Sequence, residues 1–214
     1  MALDIHPPTK PIHSVKDFLL HLFTITRGIL IALGLEGVVE RAHHRNLARE
    51  AKTNLVREMT DTHRGLSGGL KSMETTDAQL QSILNTVRAL AADRSAKPGN
   101  LDLSVSINTP SSTAWSTAAT TGALGYMERD DVERFTKVYD LQQVFMSAEQ
   151  RAVESLLELE SYGALAHGPL ARISDAQAVE AERAAGRALA ATRMAEDIGK
   201  SLEAEYRKLL AATK

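Results

Sequence analysis

The sequence predicts an all-α protein in which an N-terminal transmembrane helix continues into a long helical stalk and an antiparallel helical bundle. Three observations predict this class. Ala, Leu, Glu and Arg are frequent while aromatic residues make up only 4% of the chain, which favours helices over sheets. A long apolar run lies near the N-terminus, and apolar residues beyond it recur at helical spacing. The 214 residues suffice for one domain with an appendage.

Composition and charge exclude several functional classes. Lys and Arg total 25 against 27 Asp and Glu, for a net charge of -2, so there is no basic excess to bind nucleic acid through its phosphates. Cysteine is absent, which excludes disulfides, thiolate zinc sites, cysteine nucleophiles and iron–sulfur clusters. Hydrophobic residues at 43% and charged residues at 24% are typical of a folded chain.

The N-terminal region predicts a short tail followed by a membrane anchor. Residues 1–13 contain three prolines and no apolar periodicity, which indicates an extended tail. Ser14 is a plausible N-cap, and the mostly apolar run 18–39 is long enough, at roughly 30 Å, to cross a bilayer core. We therefore expect an anchor over 14–40, with the lipid bilayer as its partner. A buried helix in a soluble oligomer is the competing interpretation, and a cleaved signal peptide is disfavoured because the helical pattern continues.

Three ionisable residues interrupt the apolar run 18–39: His21, Arg27 and Glu36. An arginine near the middle of a span costs about 2.5–3.5 kcal/mol on insertion scales, which the apolar residues of the run can offset. Arg27 should therefore face a protein partner or extend to the headgroups, and all three residues are candidate partner-binding positions. A lone helical histidine such as His21 is usually only hydrogen-bonded, so no cofactor or metal is expected.

Two arguments about orientation disagree. Lys10 and Lys16 precede the anchor, whereas Arg41, Arg45, Arg49 and Lys52 follow it. Counting positive charges therefore places the C-terminal part in the cytoplasm. A short N-terminal tail before a single anchor more commonly stays inside, which places the bundle in the periplasm. We lean toward the periplasmic side, with the side left open.

Beyond the anchor, the pattern predicts a long helix or a broken pair of helices reaching about Ala92. Steps of three and four connect a heptad-like, mainly apolar stripe, namely Val56, Met59, His63, Leu66, Leu70, Met73, Asp77, Leu80, Leu84, Val87 and Ala91. Gly65, Gly68 and Gly69 could kink or end a helix. The stripe is expected to pack within the chain, with oligomerisation as the alternative.

The rest of the predicted bundle domain, 41–214, contains three further helices and one segment of alternating polarity. Residues 101–107 alternate as a strand does, although an extended segment lying on the helices is as plausible. A short helix that is capped by Ser111 or Ser112 is expected to run through Trp115 to Leu124 and to be ended by Gly125.

Two longer helices complete the predicted bundle. The first is expected to be capped by Asp130 or Asp131, and its expected inner face comprises Val132, Phe135, Tyr139, Phe145, Ala152, Leu156 and Leu159. The second is expected to begin at the cap Ser174 and to end at Leu210, with an inner face of Val179, Leu189, Ile198, Leu202, Tyr206 and Leu209. Its many alanines allow close approach of helices.

No motif predicts catalysis. Glu40 and His43 have the spacing of a carboxylate-bridged metal motif, but the second such motif that these sites need is missing. Lys71 and Ser72 follow the glycines around Gly68, but Leu70 separates them from Gly69, so the Gly-Lys-Ser/Thr of a phosphate-binding loop is missing, and there is no nucleophile elbow. The Thr- and Ala-rich segment between Trp115 and Tyr126 has two interpretations. Both aromatic residues could anchor the core, or they could form a ligand or partner surface.

Two stretches resemble one family of bacterial proteins. PIHSVKDFLLHLFTITRGILIALGLEGVVERAHHRNLAREAKTNLVREM resembles an N-terminal anchor of the type I-x-L-I-A-L-x-L-E followed by a His- and Arg-rich helix, and STAWSTAATTGALGYM is similar to a later segment of that family. The resemblance implies a single-span protein of the bacterial inner membrane with a helical domain, and it implies no activity. Arg27 departs from the family pattern, in which an apolar residue is expected.

Together these observations predict a non-enzymatic, membrane-anchored protein. It would serve as a structural or accessory subunit of a larger membrane complex, or would self-associate. The alternative is a membrane-tethered, sensor-like bundle that binds a ligand. Recovery of either partner subunits or a bound small molecule from native membranes would separate the two.

Overall fold

The structure, a computed structural model, describes residues 14–92, 109–162 and 174–213, and within these ranges every regular element is helical. This confirms the all-α prediction. The predicted tail 1–13 and the segment 101–107 lie outside the described residues. The helices are α1 Val15–Ala92, α2 Thr113–Thr120, a 3-10 turn Ala123–Tyr126, α3 Arg129–Ser161 and α4 Asp175–Ala212.

The chain divides into two compact units, Met1–Ala48 and Arg49–Lys214. The first unit contains the N-terminal part of α1. The second contains the remainder of α1 with α2, α3 and α4, and these elements form a packed helical bundle. The predicted boundary after residue 40 concerns the end of a membrane span, which this division does not test.

Helix α1 is unbroken over its 78 residues, including the stretch that contains Gly65, Gly68 and Gly69. Each glycine inside a helix costs about 1 kcal/mol relative to alanine. Burial on the same stretch offsets this cost, because Leu66 is 0% and Leu70 is 6% exposed. The structure therefore shows one long helix rather than a broken pair of helices.

In the second unit, α4 runs antiparallel to α1. Arg88 of α1 pairs with Glu182 at 2.8 Å, whereas Asp77, earlier in α1, pairs with Arg193, later in α4, at 2.6 Å. The same reversal relates α3 and α4, since Lys137 pairs with Glu205 and Glu158 pairs with Arg187. The predicted antiparallel packing thus holds for α4 against both other long helices.

Helices α1 and α3 run parallel to each other. Lys52 of α1 contacts Asp131 of α3 at 2.5 Å, and Glu58, later in α1, contacts Tyr139, later in α3, at 2.6 Å. The residue numbers of the contacting pairs therefore increase in the same direction along both helices. Ser111, near the start of the next described segment, donates to the Glu58 carboxylate at 2.7 Å, so this segment begins beside the part of α1 that contains Glu58.

The buried face of α1 differs from the predicted stripe at several positions. Val56, His63 and Asp77 are only half-buried. The buried positions instead follow steps closer to 3.6 residues, which keeps them on one face of a straight helix. They are Ala51, Leu55, Met59, Thr62, Leu66, Leu70, Met73, Thr76, Leu80, Ile83, Leu84 and Val87.

The inner faces of α3 and α4 were largely predicted. On α3, all predicted positions are buried except Val132, which is half-buried. On α4, Ile198 is half-buried and the prediction for Val179 is wrong, because this side chain is 46% exposed. Alanines fill that end of the helix interface instead, namely Ala178, Ala181, Ala184, Ala185 and Ala188.

Helix ends are less well predicted than helix faces. Helix α2 ends at Thr120, and the glycine that follows its end is Gly122, with a left-handed φ of 74°, rather than the predicted Gly125. The N-cap of α3 is Glu128, so Asp130 and Asp131 lie in the first turn, where carboxylates favour the helix dipole. The predicted N-cap of α4 is confirmed, since Ser174 and Gln177 form a capping box, whereas the helix ends at Ala212 rather than at Leu210.

Candidate functional site

The first unit exposes apolar side chains around its whole circumference. Residues on an α-helix advance by about 100° each, so the exposed positions cover every side of the helix rather than one stripe. They are Phe18, Leu19, Leu20, Leu22, Phe23, Ile25, Ile29, Leu30, Ile31, Leu33, Leu35, Val38 and Val39, each at least 49% exposed. We call this set the apolar belt. A helix that is apolar on all sides is typical of a membrane span or a protein interior.

The apolar belt satisfies the length and composition of a membrane span. Its helix contains an 18-residue window with a mean hydropathy of 1.9, and none of that window is buried. A helix of this length and apolarity can cross a bilayer core of about 30 Å. Core helices of soluble proteins and signal sequences can also meet this test, but a core helix would be largely buried.

Two threonines inside the belt satisfy their hydroxyl donors within the helix. Thr24 donates to the carbonyl oxygen of Leu20 at 2.9 Å, and Thr26 donates to that of Leu22 at 2.8 Å. In hydrocarbon there is no water to accept these hydrogen bonds, so an internal acceptor lowers the cost of burying each hydroxyl in lipid.

The three polar residues predicted to bind a partner lie on this segment but not on a common face. His21, Arg27 and Glu36 are all exposed. At about 100° per residue, Arg27 lies about 180° from Glu36 and about 120° from His21. One partner helix could therefore contact only part of this set, and the assignment of all three to a partner stays a prediction.

The end of the first unit carries the Glu40–His43 pair considered as a metal motif. The rings of His43 and His44 lie 6.1 Å apart. Among the described residues, no group of three or more His, Cys, Asp or Glu side chains is arranged to hold a metal ion. These residues therefore carry no argument for a metal centre.

In the second unit, Trp115 and Tyr126 have different surroundings. The ring of Trp115 is half-buried and lies 5.0 Å from the ring of Tyr139, at an angle of 32°. Tyr126 is 49% exposed, so its interpretation as a core anchor is wrong. The left-handed turn at Gly122 precedes the 3-10 turn that contains Tyr126. A partner-binding role for the two aromatic residues stays a prediction.

A polar cluster that the sequence did not indicate lies beneath Trp115. The carboxylate of Glu58 accepts hydrogen bonds from the Tyr139 hydroxyl at 2.6 Å, the Ser111 hydroxyl at 2.7 Å and the backbone N–H of Ala114 at 2.9 Å. Ser112, the N-cap of α2, makes no side-chain capping bond. Glu58 of α1 therefore caps α2 across the bundle, where a carboxylate also favours the helix dipole.

The cluster continues through Gln142 to α4. Gln142 is 0% exposed, donates to the carbonyl oxygen of Ser111 at 3.0 Å and accepts from the Tyr206 hydroxyl at 2.6 Å. We define the Glu58 cluster as Glu58, Ser111, Ala114, Tyr139, Gln142 and Tyr206. Burial and the adjacent Glu58 carboxylate raise the pKa of Tyr139 and of Tyr206 above the ordinary value of 10.0. Both phenols therefore stay protonated and act as hydrogen-bond donors.

Among the described residues, the Glu58 cluster joins α1, α2, α3 and α4 of the second unit through bonds among its own members. Its partners are 53 to 81 residues from Glu58 along the chain, so no local motif marks it. The sequence contained one signal for this cluster, since Glu58 lies next to the apolar stripe of α1. Glutamates beside such a stripe are usually solvated, so the signal did not identify Glu58. Its geometry indicates a structural role, because its carboxylate already accepts three donors.

Comparisons with known proteins identify no relative. No protein-family model matches the chain, no curated protein is similar to it, and no solved structure resembles it. The resemblance to an anchored bacterial family therefore stays an expectation, which rests on the N-terminal anchor stretch and on STAWSTAATTGALGYM.

Proposed function

We propose that this protein is a non-enzymatic, single-pass membrane protein that acts as a structural or accessory subunit of a larger membrane complex or of a homo-oligomer. The observation that carries the proposal is the apolar belt, exposed on every side of a helix whose chain also forms a bundle with its own core. Fully burying each large apolar side chain is worth about 1.5–3 kcal/mol. An environment that covers the whole belt is therefore strongly favoured.

The bilayer is the environment that fits the belt best. On insertion scales, its Leu, Ile, Phe and Val residues contribute about -0.3 to -0.6 kcal/mol each, which together exceeds the roughly 2.5–3.5 kcal/mol cost of Arg27. The internal hydrogen bonds of Thr24 and Thr26 support the same environment. A partner that contacts Arg27 within the bilayer would lower the remaining cost.

The polar centre of the bundle supports a structural role over the sensor-like alternative. In the Glu58 cluster, the Glu58 carboxylate and the Gln142 amide bind protein groups on neighbouring elements. These hydrogen bonds hold the helices together, and they occupy the polar groups of the cluster with partners inside the bundle. We propose that the protein lies in the bacterial inner membrane with the bundle on the periplasmic side, following the resemblance.

Extraction of membranes with alkaline carbonate tests the anchor. The full chain is expected to stay in the membrane pellet, because its belt is embedded in hydrocarbon rather than adsorbed through charges. A variant with Leu22→Glu, Ile25→Glu and Ile29→Glu is the matched control and should move to the soluble fraction. Full extraction of the unmodified chain would refute the proposal.

The side of the bundle can be tested because the chain contains no cysteine. Gln143→Cys introduces a single thiol at an exposed position of α3. In intact spheroplasts a membrane-impermeant thiol reagent should modify this variant without lysis. Modification only after lysis would place the bundle in the cytoplasm.

A further inference from the structure

We propose that the first unit pairs in parallel with a second copy of this chain, through a seam formed by Asp17, His21, Thr24 and Gly28. The inference rests on the proposed membrane anchor and names the partner of that anchor. Steps of four, three and four residues connect the four positions, which is the heptad spacing that keeps side chains on one face of a helix.

The seam is distinct because of its composition. All four residues are exposed, and they gather polar and small side chains on one face of the apolar belt. A Cβ added to Gly28 would meet no heavy atom within 4 Å, so another helix can approach the backbone there. In membranes, helices associate through small residues that permit close packing and through hydrogen bonds between polar side chains.

Complementary groups favour a second copy as the occupant. In a parallel pair, equal residues lie at equal depth, so Asp17 of one copy lies about one helical turn from His21 of the second copy. The Asp17 carboxylate accepts hydrogen bonds and a ring N–H of His21 donates one. Two-fold symmetry produces this pair twice. These contacts offset the repulsion between the two Asp17 carboxylates, which lie in one layer just outside the apolar run.

The position of Arg27 agrees with this arrangement. When Asp17 and Thr24 occupy d positions and His21 and Gly28 occupy a positions, Arg27 falls at g, beside the seam. The two-fold axis then places the two Arg27 side chains on opposite sides of the pair, where they do not repel each other strongly. Thr26 falls at f, the position directed away from the second copy.

Cysteine cross-linking in membranes tests the seam, because the chain has no native thiol. Thr24→Cys and Thr26→Cys form a matched pair: both native threonines are exposed and both donate to the carbonyl four residues earlier. A disulfide requires Cα atoms about 4.4–6.8 Å apart. Oxidation of full-length protein in membranes is therefore expected to yield at least fivefold more covalent dimer for Thr24→Cys than for Thr26→Cys.

A second variant tests close packing at the seam. Adding Gly28→Leu to Thr24→Cys should reduce the dimer yield several-fold, whereas Gly37→Leu, on the opposite face of the helix, should not change it. Equal dimer yields for Thr24→Cys and Thr26→Cys, or no dimer from either in carbonate-resistant membranes, would overturn the pairing while leaving the anchor intact. Loss of the chain from the carbonate pellet would overturn both.

Discussion

Glu58 shows how one side chain can join several elements of the bundle. It receives donors from α3, from the residue before the N-cap of α2 and from the first turn of α2. A carboxylate suits this position because it only accepts hydrogen bonds, and each charge-assisted bond is stronger than a neutral one. Trp115 covers the Tyr139 ring next to it.

Glu58→Gln should destabilise the bundle by about 1–3 kcal/mol. In the variant, the amide nitrogen of glutamine would face a group that now donates a hydrogen bond to the carboxylate. That donor would be left without an acceptor. Urea unfolding of a fragment comprising residues 41–214, followed by circular dichroism, measures the change. Glu160→Gln, at an exposed position of α3, is the control, and an equal effect of both substitutions would contradict the role assigned to Glu58.

The raised pKa values of Tyr139 and Tyr206 predict a loss of stability in alkali. Below the ordinary value of 10.0, both phenols are protonated in the folded and unfolded chain. Above it, the unfolded chain releases these protons first, so the free energy of unfolding falls by up to about 1.4 kcal/mol per pH unit for each phenol.

Tyr206→Phe should therefore reduce the alkaline slope of the unfolding free energy by up to about 1.4 kcal/mol per pH unit. Unfolding midpoints of the 41–214 fragment between pH 10 and 12 provide the measurement. Tyr126→Phe controls for loss of a hydroxyl at an exposed position. A slope that is the same in wild type and Tyr206→Phe would show that Tyr206 does not contribute.

Arg27 is the residue on which the accessory-subunit proposal can be tested most directly. Arg27→Leu should leave membrane insertion intact or improve it, because a cost of about 2.5–3.5 kcal/mol disappears. It should lower the recovery of associated subunits in mild detergent at equal expression, because the positive group is lost. Thr26→Leu is the control at nearly the same depth, and unchanged recovery for Arg27→Leu would argue against a partner at this residue.

At the scale of elements, the crossing of α4 with α1 and α3 depends on Gly199. A Cβ at this position would lie 2.8 Å from Cδ2 of Leu70 and 2.9 Å from Cε2 of Phe145. Both neighbours are buried, at 6% and 0% exposure, so they have little room to move. Glycine is therefore required by packing, although it weakens the helix itself.

Gly199→Ala should lower the free energy of unfolding by about 1–2 kcal/mol, because overpacking outweighs the gain of up to about 1 kcal/mol in helix propensity. Gly186→Ala on the same helix is the matched control. A Cβ at Gly186 meets no heavy atom within 4 Å, so this substitution should stabilise the helix. Thermal unfolding of both variants decides the matter, and stabilisation by Gly199→Ala would show that its neighbours can yield.

At the scale of the whole molecule, the two units favour different environments. The second unit buries its own core, with Leu55, Leu80, Phe145 and Leu202 at 0% exposure. The apolar belt of the first unit is exposed throughout. An aqueous environment suits the bundle and a hydrocarbon environment suits the belt, as the proposed function requires.

Deletion of residues 1–40 should therefore release a soluble fragment that remains helical. The expectation follows from the core of Arg49–Lys214, which is built without residues from the belt. Centrifugation of the expressed fragment and its far-ultraviolet circular dichroism measure solubility and helicity. An insoluble or unfolded fragment would show that the bundle depends on the deleted segment.

Much of the fold could be predicted because helices depend on local signals. The capping box at Ser174, the apolar period of α3 and the uninterrupted apolarity of the belt all lie within short stretches of sequence. Helix ends without a strong local signal were misplaced. The start of α2 agrees with the prediction, because its N-cap is Ser112, but the capping hydrogen bond to Ala114 comes from Glu58 on another element.

The sequence by itself determined the all-α class, the apolar belt and the absence of cysteine chemistry, because composition and periodicity act locally along the chain. Only the tertiary structure decided that α1 continues through its glycines, that α1 and α3 run parallel, and that Glu58, Tyr139, Gln142 and Tyr206 meet. These features depend on contacts between residues far apart in the chain, where the free energy comes from side-chain packing and hydrogen bonds that no local pattern encodes.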